Sequence, residues 1–455
     1  MLFRSTKEQF INLTKNVILP LFTGAQIVGE EISSGRDSEV AQGANGAMLL
    51  KPNKQDEYRL IIKRNQPFKN KDISLVKFIM TELMLVDEYE AFDGTYKKNL
   101  QSLAIEKAIC KSLSEESSDV LLELVEELTK WAERTYEGRN LTFGIVVNEQ
   151  VESRSGLHFT DFIANDFMAL LSDGKLSTLE LDKNGNFVGY SILERLRAIP
   201  TICPQSNINF AKFCNENKIG VTLYENGDML LFKNYALQFA RRRGIWNSYD
   251  HEAMIDLLSN KANHTMKEIR KSIYITALDV SFTRDGGCIV YLNKDEQGLV
   301  MNHIDMDDIL SEKHYNLKKE LELVEQEKLY NLFNKNYIDT VFNLTYSQYL
   351  DENNCLKAKT LRKIINGRKF HELNRKLRQE LVGMDGATVV DYDGTIVAIG
   401  AIIKIEAGST GGGRLAATKT LSRYGVSIKI STDGVMQGFV NDKRTNTPKP
   451  IFSIG

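Results

Sequence analysis

The stretch that most constrains the fold lies near the C-terminal end of the chain, between residues 381 and 440. Two β-branched runs, Thr388–Val390 and Ile396–Ile405, are separated by Asp393-Gly394, a dipeptide that favours a tight hairpin turn. A run of helix formers and a further β-branched run follow. This order predicts an α/β (α+β) fold, in which helices flank a mixed β-sheet. The predicted central strands are 287–292, 387–390, 396–405 and 426–430.

A glycine corner, Ser409-Thr410-Gly411-Gly412-Gly413-Arg414, lies between two of these strands. Its glycines leave backbone N–H groups free at the start of a predicted helix, where the helix dipole also favours an anion. Two carboxylates, Asp385 and Asp433, occur in the same unit. Carboxylate oxygens suit Mg²⁺ or Mn²⁺, and amides with an arginine suit phosphates. The alternative is a plain turn at the corner, with both aspartates serving as turn residues.

These residues resemble the diadenylate cyclase (DAC) domain family over roughly 265–440. Asp385-Gly386-Ala387, with its apolar lead-in from Leu381, looks like the Asp-Gly-Ala motif of the family. The run 411–417 occupies the place of its Gly-Thr-Arg-His-Arg-x-Ala segment, and 430–434 is similar to its Ser-Glu-Glu strand end. Residues 273–280 and 286–290 look like its opening helix and first core strand.

The resemblance implies a metal-dependent nucleotide site. In the family the matching aspartate holds a divalent metal, and Gly386 would permit close approach of the ligand. The implied cofactor is Mg²⁺ or Mn²⁺. The implied catalytic residues are Asp385 and Arg414, and the implied metal ligands are Asp385 and Asp433. The implied nucleotide-binding residues are Gly386, Ala387, Thr410, Gly411, Gly412, Gly413, Arg414 and Ser431.

The chain departs from the family at the Arg-His-Arg part of that segment, the basic triplet. Only Arg414 remains of the three basic residues, with Gly413 before it and Leu415 after it. Two functions are therefore expected. In the first, the protein is a nucleotidyltransferase that binds nucleoside triphosphates and joins two of them into a cyclic or linear dinucleotide. Two copies would then meet face to face as a homodimer. In the second, an inactive nucleotide or dinucleotide sensor regulates an effector protein. DAC-like domains with altered motifs are also associated with antiphage defence.

Composition narrows the class of partners. The net charge of −2 and the pI of about 6.4 predict no attraction to duplex nucleic acid. Five scattered cysteines without Cys-x-x-Cys spacing favour a reducing cytoplasm. No stretch approaches the ~20 apolar residues of a transmembrane helix. A local basic cluster, Arg241–Arg243 followed by Trp246, has two interpretations: a phosphate grip with a stacked base, or a solvated turn whose tryptophan fills a seam.

The pattern divides the chain into an α-rich region at 1–140, a β-rich region with hairpins at 141–258, a DAC-like nucleotide domain at 259–440, and a loose polar tail at 441–455. The nucleotide domain carries a helical insertion at about 300–380. This insertion either packs beside the nucleotide site or forms a dimerisation arm, and its periodicity does not choose between the two.

Overall fold

The structure, a computed structural model, describes all residues except 1–6, 54, 65, 88–93, 137, 164, 194–198, 260–266, 331–343 and 406–411. The chain forms two compact units, Met1–His251 and Glu252–Gly455. Among the described residues, no helix has the length and apolar character needed to cross a membrane. The mixed α/β fold predicted from the sequence is confirmed.

The N-terminal unit has one continuous apolar core, which runs from Phe10 to Trp246. The two N-terminal regions that the sequence separated at 140 therefore share a single core. The amphipathic pattern of its helices supplies much of that core, because their apolar side chains recur every three or four residues. The helices are α1 (Lys7–Leu13), α2 (Asn70–Asp87), α3 (Gly94–Leu113), α4 (Ser118–Trp131), α5 (Phe159–Phe162) and α6 (Ile208–Phe213); α7 (His251–Leu257) begins at its last residue.

Two main sheets complete the N-terminal unit. The first has the order β1-β4-β3-β2 and the second the order β13-β12-β11-β10-β7-β8-β9. The hairpins predicted for the β-rich region are confirmed, since Asn184-Gly185 and Asn226-Gly227 each join an antiparallel pair of strands. The strands are β1 (Gln26–Ile32), β2 (Val40–Gln42), β3 (Met48–Leu50), β4 (Tyr58–Lys63), β5 (Thr135–Tyr136), β6 (Arg139–Asn140), β7 (Phe143–Asn148), β8 (Ser177–Asp182), β9 (Phe187–Ile192), β10 (Lys218–Leu223), β11 (Met229–Lys233), β12 (Ala236–Arg242) and β13 (Ile245–Ser248).

The C-terminal unit is built on a six-stranded mixed sheet with the order β16-β15-β14-β17-β18-β19. Its strands are β14 (Gly287–Leu292), β15 (Ala387–Val390), β16 (Ile396–Ala401), β17 (Gly425–Ile430), β18 (Met436–Asp442) and β19 (Thr447–Ile454). Strands β14 and β15 run parallel, and every other neighbouring pair is antiparallel. The predicted central strands are thus neighbours in one sheet.

Helices cover both faces of this sheet. Gly287 faces Val382 and Val280, whereas the Cys288 thiol contacts the Thr418 hydroxyl. Because successive residues of a strand point to opposite faces, the helices that carry these contacts lie on opposite sides. The helices are α8 (Lys267–Thr283), α9 (Gln297–Val300), α10 (Glu312–Tyr330), α11 (Tyr346–Glu352), α12 (Leu356–Ile365), α13 (Arg375–Val382) and α14 (Gly413–Leu421).

Three sequence predictions need correction. The strand predicted at 396–405 ends at Ala401. The loose tail predicted at 441–455 is wrong, because Thr447–Ile454 pairs along the whole of β18 and closes the sheet. The helical insertion predicted at about 300–380 is interrupted at Asn366 and Gly367, whose φ angles of 51° and 68° end α12 in a left-handed turn.

Candidate functional site

The register of three central strands, β14, β15 and β17, brings the predicted motifs to neighbouring strand ends along one edge of the sheet. In the parallel pair, Ile289 lies opposite Thr388. The same register carried back along β14 and β15 sets Gly286 beside Asp385. In the antiparallel pair, Gly287 lies opposite Ile430, so the turn that follows β17 lies next to Gly286. Gly286, Asp385 and the turn at 431–434, which are far apart in the sequence, therefore meet at one place, which we call the sheet-edge site.

Arg414 occupies the centre of this site. A Cβ atom placed on Gly286 would lie 2.6 Å from Nη1 of Arg414 and 3.1 Å from Cγ2 of Thr432. The guanidinium also faces Asp385, whose Oδ1 lies 3.8 Å from Nη2 of Arg414. This ion pair is loose and solvated, so it contributes little to stability. The buried Nε of Arg414 has no hydrogen-bond partner in the part of the chain described here.

The N-terminus of α14 places its first backbone N–H groups beside Arg414. Gly412 precedes the helix with a φ of 85°, a conformation that favours glycine. Among the described residues, a Cβ atom on Gly412 or on Gly413 would meet nothing within 4 Å. The first N–H groups of a helix have no acceptor within it. An anion of phosphate size therefore finds backbone donors and a guanidinium together. Thr410 and Gly411 lie outside the described residues.

Asp385 is presented to solvent, with 90% of its side chain exposed. It is held there by the backbone of the next residue, because Gly386 has a φ of 100° and packs on the backbone of Gly400. A Cβ atom at Gly386 would lie 2.4 Å from the carbonyl carbon of Gly400. The fold itself requires glycine at this position, and the expected role of Gly386 in admitting a ligand stays a prediction.

The remaining predicted residues differ in their exposure. Ala387 is wholly buried in β15 opposite Ala401, so its side chain does not face the site. Ser431 follows β17 and shares backbone hydrogen bonds with Gly434 and Val435. Asp433 is exposed in this turn, where its carboxylate accepts a hydrogen bond from the N–H of Val435 at 3.2 Å. Asp433 therefore acts in the turn at the edge of the site, and its expected role as a metal ligand stays a prediction.

A divalent metal fits these residues in one binding mode, in which a single carboxylate holds it together with water and substrate phosphates. No cluster of three or more His, Cys, Asp or Glu side chains suited to a metal ion occurs among the described residues. Mg²⁺ commonly binds through one or two carboxylates and completes its shell with water and substrate phosphates. The exposed carboxylate of Asp385 suits that mode, because within the described ranges the loose pair with Arg414 is the one ion pair that engages it. The site fits a metal that arrives with a phosphate ligand.

One carboxylate was not predicted from the sequence. Asp285 is exposed immediately before Gly286, and its Cβ lies close to the position of a Cβ on Gly383, at 3.6 Å. Its carboxylate accepts a hydrogen bond from the Thr283 hydroxyl at 2.7 Å. The sequence contained a signal for it, since an Asp-Gly pair precedes β14 just as Asp385-Gly386 precedes β15.

The helical insertion contributes a cation beside the site. Lys357, at the start of α12, donates to the Gly400 carbonyl at 2.5 Å and pairs with Asp308 at 2.7 Å. The space at Gly400 is bounded by the Asp385 carbonyl on one side and the Lys357 ammonium on the other, at 2.8 and 3.5 Å from a Cβ placed there. This part of the insertion therefore packs beside the candidate site, and the role as a dimerisation arm stays a prediction.

A cysteine lies behind Arg414. The thiol of Cys288 contacts the hydroxyl of Thr418, which in turn donates to the carbonyl of Arg414. Burial raises the pKa of Cys288 to about 11, so the thiol remains protonated at neutral pH. It therefore does not neutralise the guanidinium, whose charge stays available to a ligand.

The basic cluster of the N-terminal unit is structural. Arg242 is 1% exposed and pairs with the buried Asp228 at 3.3 Å. Arg241 donates to the Thr129 hydroxyl, and the indole of Trp246 donates to Glu106. The interpretation as a phosphate grip does not hold, because Arg242 and Trp246 are buried. The solvated turn is equally wrong for Arg242, which is a core ion pair.

Comparison with protein-family models, with curated proteins and with solved structures found no match to this chain.

Proposed function

We propose that the sheet-edge site binds a nucleoside triphosphate together with Mg²⁺ or Mn²⁺, and that it joins two nucleotides as DAC domains do. The observation that carries this proposal is the position of Arg414. Its guanidinium packs on Gly286, lies 3.8 Å from Asp385, and stands beside the open N-terminus of α14. Phosphate recognition and metal binding both need such groups side by side.

Each group has a distinct role in this proposal. Arg414 and the first N–H groups of α14 bind the phosphates and orient the α-phosphate. Asp385 holds the metal, which supplies charge neutralisation at the reacting phosphate when bound. The 3′-hydroxyl of one nucleotide attacks the α-phosphate of the other. An O–P bond forms, pyrophosphate leaves, and the hydroxyl proton passes to water.

The second candidate function is a nucleotide sensor without turnover. One observation favours it: the turn that opens α14 carries Gly413 and Leu415 on either side of Arg414, so a single basic side chain remains where the family has more. Phosphoryl transfer depends on neutralising the triphosphate. In this alternative the occupied site changes the surface offered to an effector protein, and no product forms.

The experiment that tests the proposal compares nucleotide binding and products in three variants. The protein is incubated with each labelled nucleoside triphosphate and Mn²⁺, and both bound nucleotide and products are separated by chromatography. Arg414→Ala should weaken triphosphate binding roughly ten- to a hundredfold, because it loses a charge-assisted hydrogen bond. Arg414→Lys should recover part of the affinity, since it restores the charge without the forked geometry.

A matched control is Lys443→Ala, which removes a positive charge from the exposed turn at the far end of β18. It should bind like the parent. Bound nucleotide with a dinucleotide product supports the transferase, and bound nucleotide without product supports the sensor. Equal affinity of the parent and Arg414→Ala for every nucleotide would overturn both.

A further inference from the structure

The C-terminal unit contains a second concave site, formed mainly by the helical insertion. A pocket of about 710 Å³ lies among the first residues of α10, the helices α11 and α12, and the start of β16. This volume is within the range of pockets that hold small organic ligands. The residues described as lining it include none of the sheet-edge site. We call it the insertion pocket.

The charges around the insertion pocket do not balance. Four basic side chains line it, namely Lys359, Arg362, Lys363 and Arg368, against the acidic Glu312 and Asp351. Asp351 pairs with Lys359 at 2.8 Å. Three cations thus remain against the single carboxylate of Glu312. Three like charges in one concavity repel each other, and an anionic ligand would relieve that repulsion.

Arg362 is held in place without a carboxylate. Its guanidinium lies 4.3 Å from the ring centroid of Tyr346, a cation–π contact that fixes the side chain and leaves its charge uncompensated. Burial raises the pKa of Tyr346 to about 12, so the phenol is neutral at pH 7. In the described part of the chain, Arg362 has no ion-pair partner, and the exposed Lys363 has none either.

Arg368 completes the basic wall from the end of α12. Its Nε donates to the Ile365 carbonyl at 2.9 Å, and its Nη2 donates to the Ile364 carbonyl at 2.7 Å. These bonds fix the guanidinium at the helix end, because they satisfy carbonyls that lack partners within the helix. The side chain is therefore a positioned cation, with Nη1 as its remaining nitrogen.

The N-terminus of α10 forms another wall of the insertion pocket and adds partial positive charge to it. The carbonyl of Ser311 accepts hydrogen bonds from the N–H groups of His314 and Tyr315, so Ser311 caps the helix. Ser311 and Glu312 both line the pocket, and the positive end of the α10 dipole therefore opens into it. Apolar side chains complete the lining: Leu310, Leu350, Ile365 and Ile396.

We propose that the insertion pocket is a second ligand site, which binds a phosphate-bearing small molecule. The positioned guanidinium groups of Arg362 and Arg368, the Lys363 ammonium and the N-terminus of α10 together form a donor set that phosphate oxygens can accept from. The apolar lining accommodates the organic part of such a ligand. The same helix that carries Arg362 and Lys363 also holds Lys357 against Gly400 at the sheet-edge site. The pocket and the sheet-edge site therefore share α12.

Calorimetry with pyrophosphate tests this site in the full chain. Every measurement uses protein that also carries Arg414→Ala, which weakens phosphate binding at the sheet-edge site. Binding should persist in this background and fall at least about tenfold with Lys363→Glu, since an attractive charge becomes a repulsive one. Lys363 is exposed, so the substitution should leave the thermal midpoint unchanged.

The matched control is Lys376→Glu, which makes the same change of charge on the exposed face of α13, where Lys376 faces Glu380. It should bind pyrophosphate like its parent. Equal affinity of Lys363→Glu and Lys376→Glu, or no binding in the Arg414→Ala background, would overturn the proposal. Because the sheet-edge site is weakened throughout, either result leaves the proposed nucleotide function untouched.

Discussion

Arg414 packs directly on Gly286, where an added Cβ atom would force the guanidinium to shift. A Cβ atom at Gly286 would lie 2.6 Å from Nη1 and 3.2 Å from Cζ of Arg414. Gly286 also has a φ of 72°, a conformation that L side chains rarely adopt. The start of β14 therefore provides the surface on which the guanidinium rests, and the position of the cation depends on a residue 128 positions earlier.

Gly286→Ala should displace Arg414 from the site. The added methyl group would strain the backbone and push the guanidinium away from Asp385. We expect a loss of roughly 1 kcal/mol or more in the free energy of unfolding, with a fall in triphosphate affinity similar to that of Arg414→Ala. Urea unfolding and nucleotide titration measure the two effects. As a control, Gly298→Ala adds a methyl group where nothing lies within 4 Å, and it should leave nucleotide affinity unchanged.

Asp385→Asn should separate metal binding from folding. The side chain is 90% exposed, so we expect the free energy of unfolding to change by no more than about 0.5 kcal/mol. The neutral amide is a poorer metal ligand than the carboxylate, so the Mn²⁺-dependent part of nucleotide binding should drop. Titrations with Mn²⁺ and with a chelator measure that part. Parent-like turnover or Mn²⁺ dependence in the variant would show that Asp385 holds no metal.

The core of the C-terminal sheet was predictable because its strands carry local signals. β-branched runs and Asp-Gly turns place β14, β15, β16 and β17 within a few residues of their observed bounds. Asp393 shows how such a turn is fixed, since its carboxylate accepts the N–H of Thr395 at 2.9 Å. Asp385 and the corner that ends in Arg414 were also expected in one compact unit, and their side chains lie 3.8 Å apart in the structure.

The features missed in the sequence depend on contacts between distant residues. Strand β19 contains Pro448 and Pro450. Proline is rarely found in a central strand, but β19 is the outermost strand of its sheet, where proline is tolerated. The contact of Lys357 with Gly400 joins a helix to a strand end 43 residues later, and neither residue carries a local signal for it. The close approach of Gly386 to the Gly400 backbone is another such contact, and the sequence around Gly386 gives no signal for it.

The oligomeric state should follow the product. If the chain makes a cyclic dinucleotide, two sheet-edge sites must face each other, since each holds one nucleotide. Light scattering during turnover, with nucleotide and Mn²⁺ present, should then detect a dimer. A cyclic product from a species that remains strictly monomeric would contradict this arrangement. A linear product, or bound nucleotide without product, is compatible with a monomer.

Restoring the basic triplet should distinguish a weakened transferase from a sensor. A Cβ atom at Gly413 meets nothing within 4 Å, and Leu415 is only partly buried, so Gly413→Arg with Leu415→Arg can be accommodated. If the site binds triphosphates, the added charges should raise ATP affinity and revive dinucleotide synthesis. Gly413→Gln with Leu415→Gln is the control for bulk without charge. If both pairs instead abolish binding of the ligand that the parent binds, the glycines serve close backbone approach.

The N-terminal unit should lose stability below neutral pH through His251. Burial lowers the pKa of His251 to about 4, although its Nε2 bonds the Leu237 carbonyl at 2.7 Å. In the unfolded chain the pKa is near 6.5. Above pH 6.5 both states are neutral and the stability is complete. Between pH 6.5 and 4 only the unfolded state gains the proton, so stability falls by about 1.4 kcal/mol per pH unit.

The chain has two tryptophans, Trp131 and Trp246, both in this unit, so their fluorescence reports its unfolding by urea. Between pH 7 and pH 5, His251→Gln should lose less stability than the parent by about 1–2 kcal/mol. Equal losses in the two proteins would mean that His251 is protonated in the folded state.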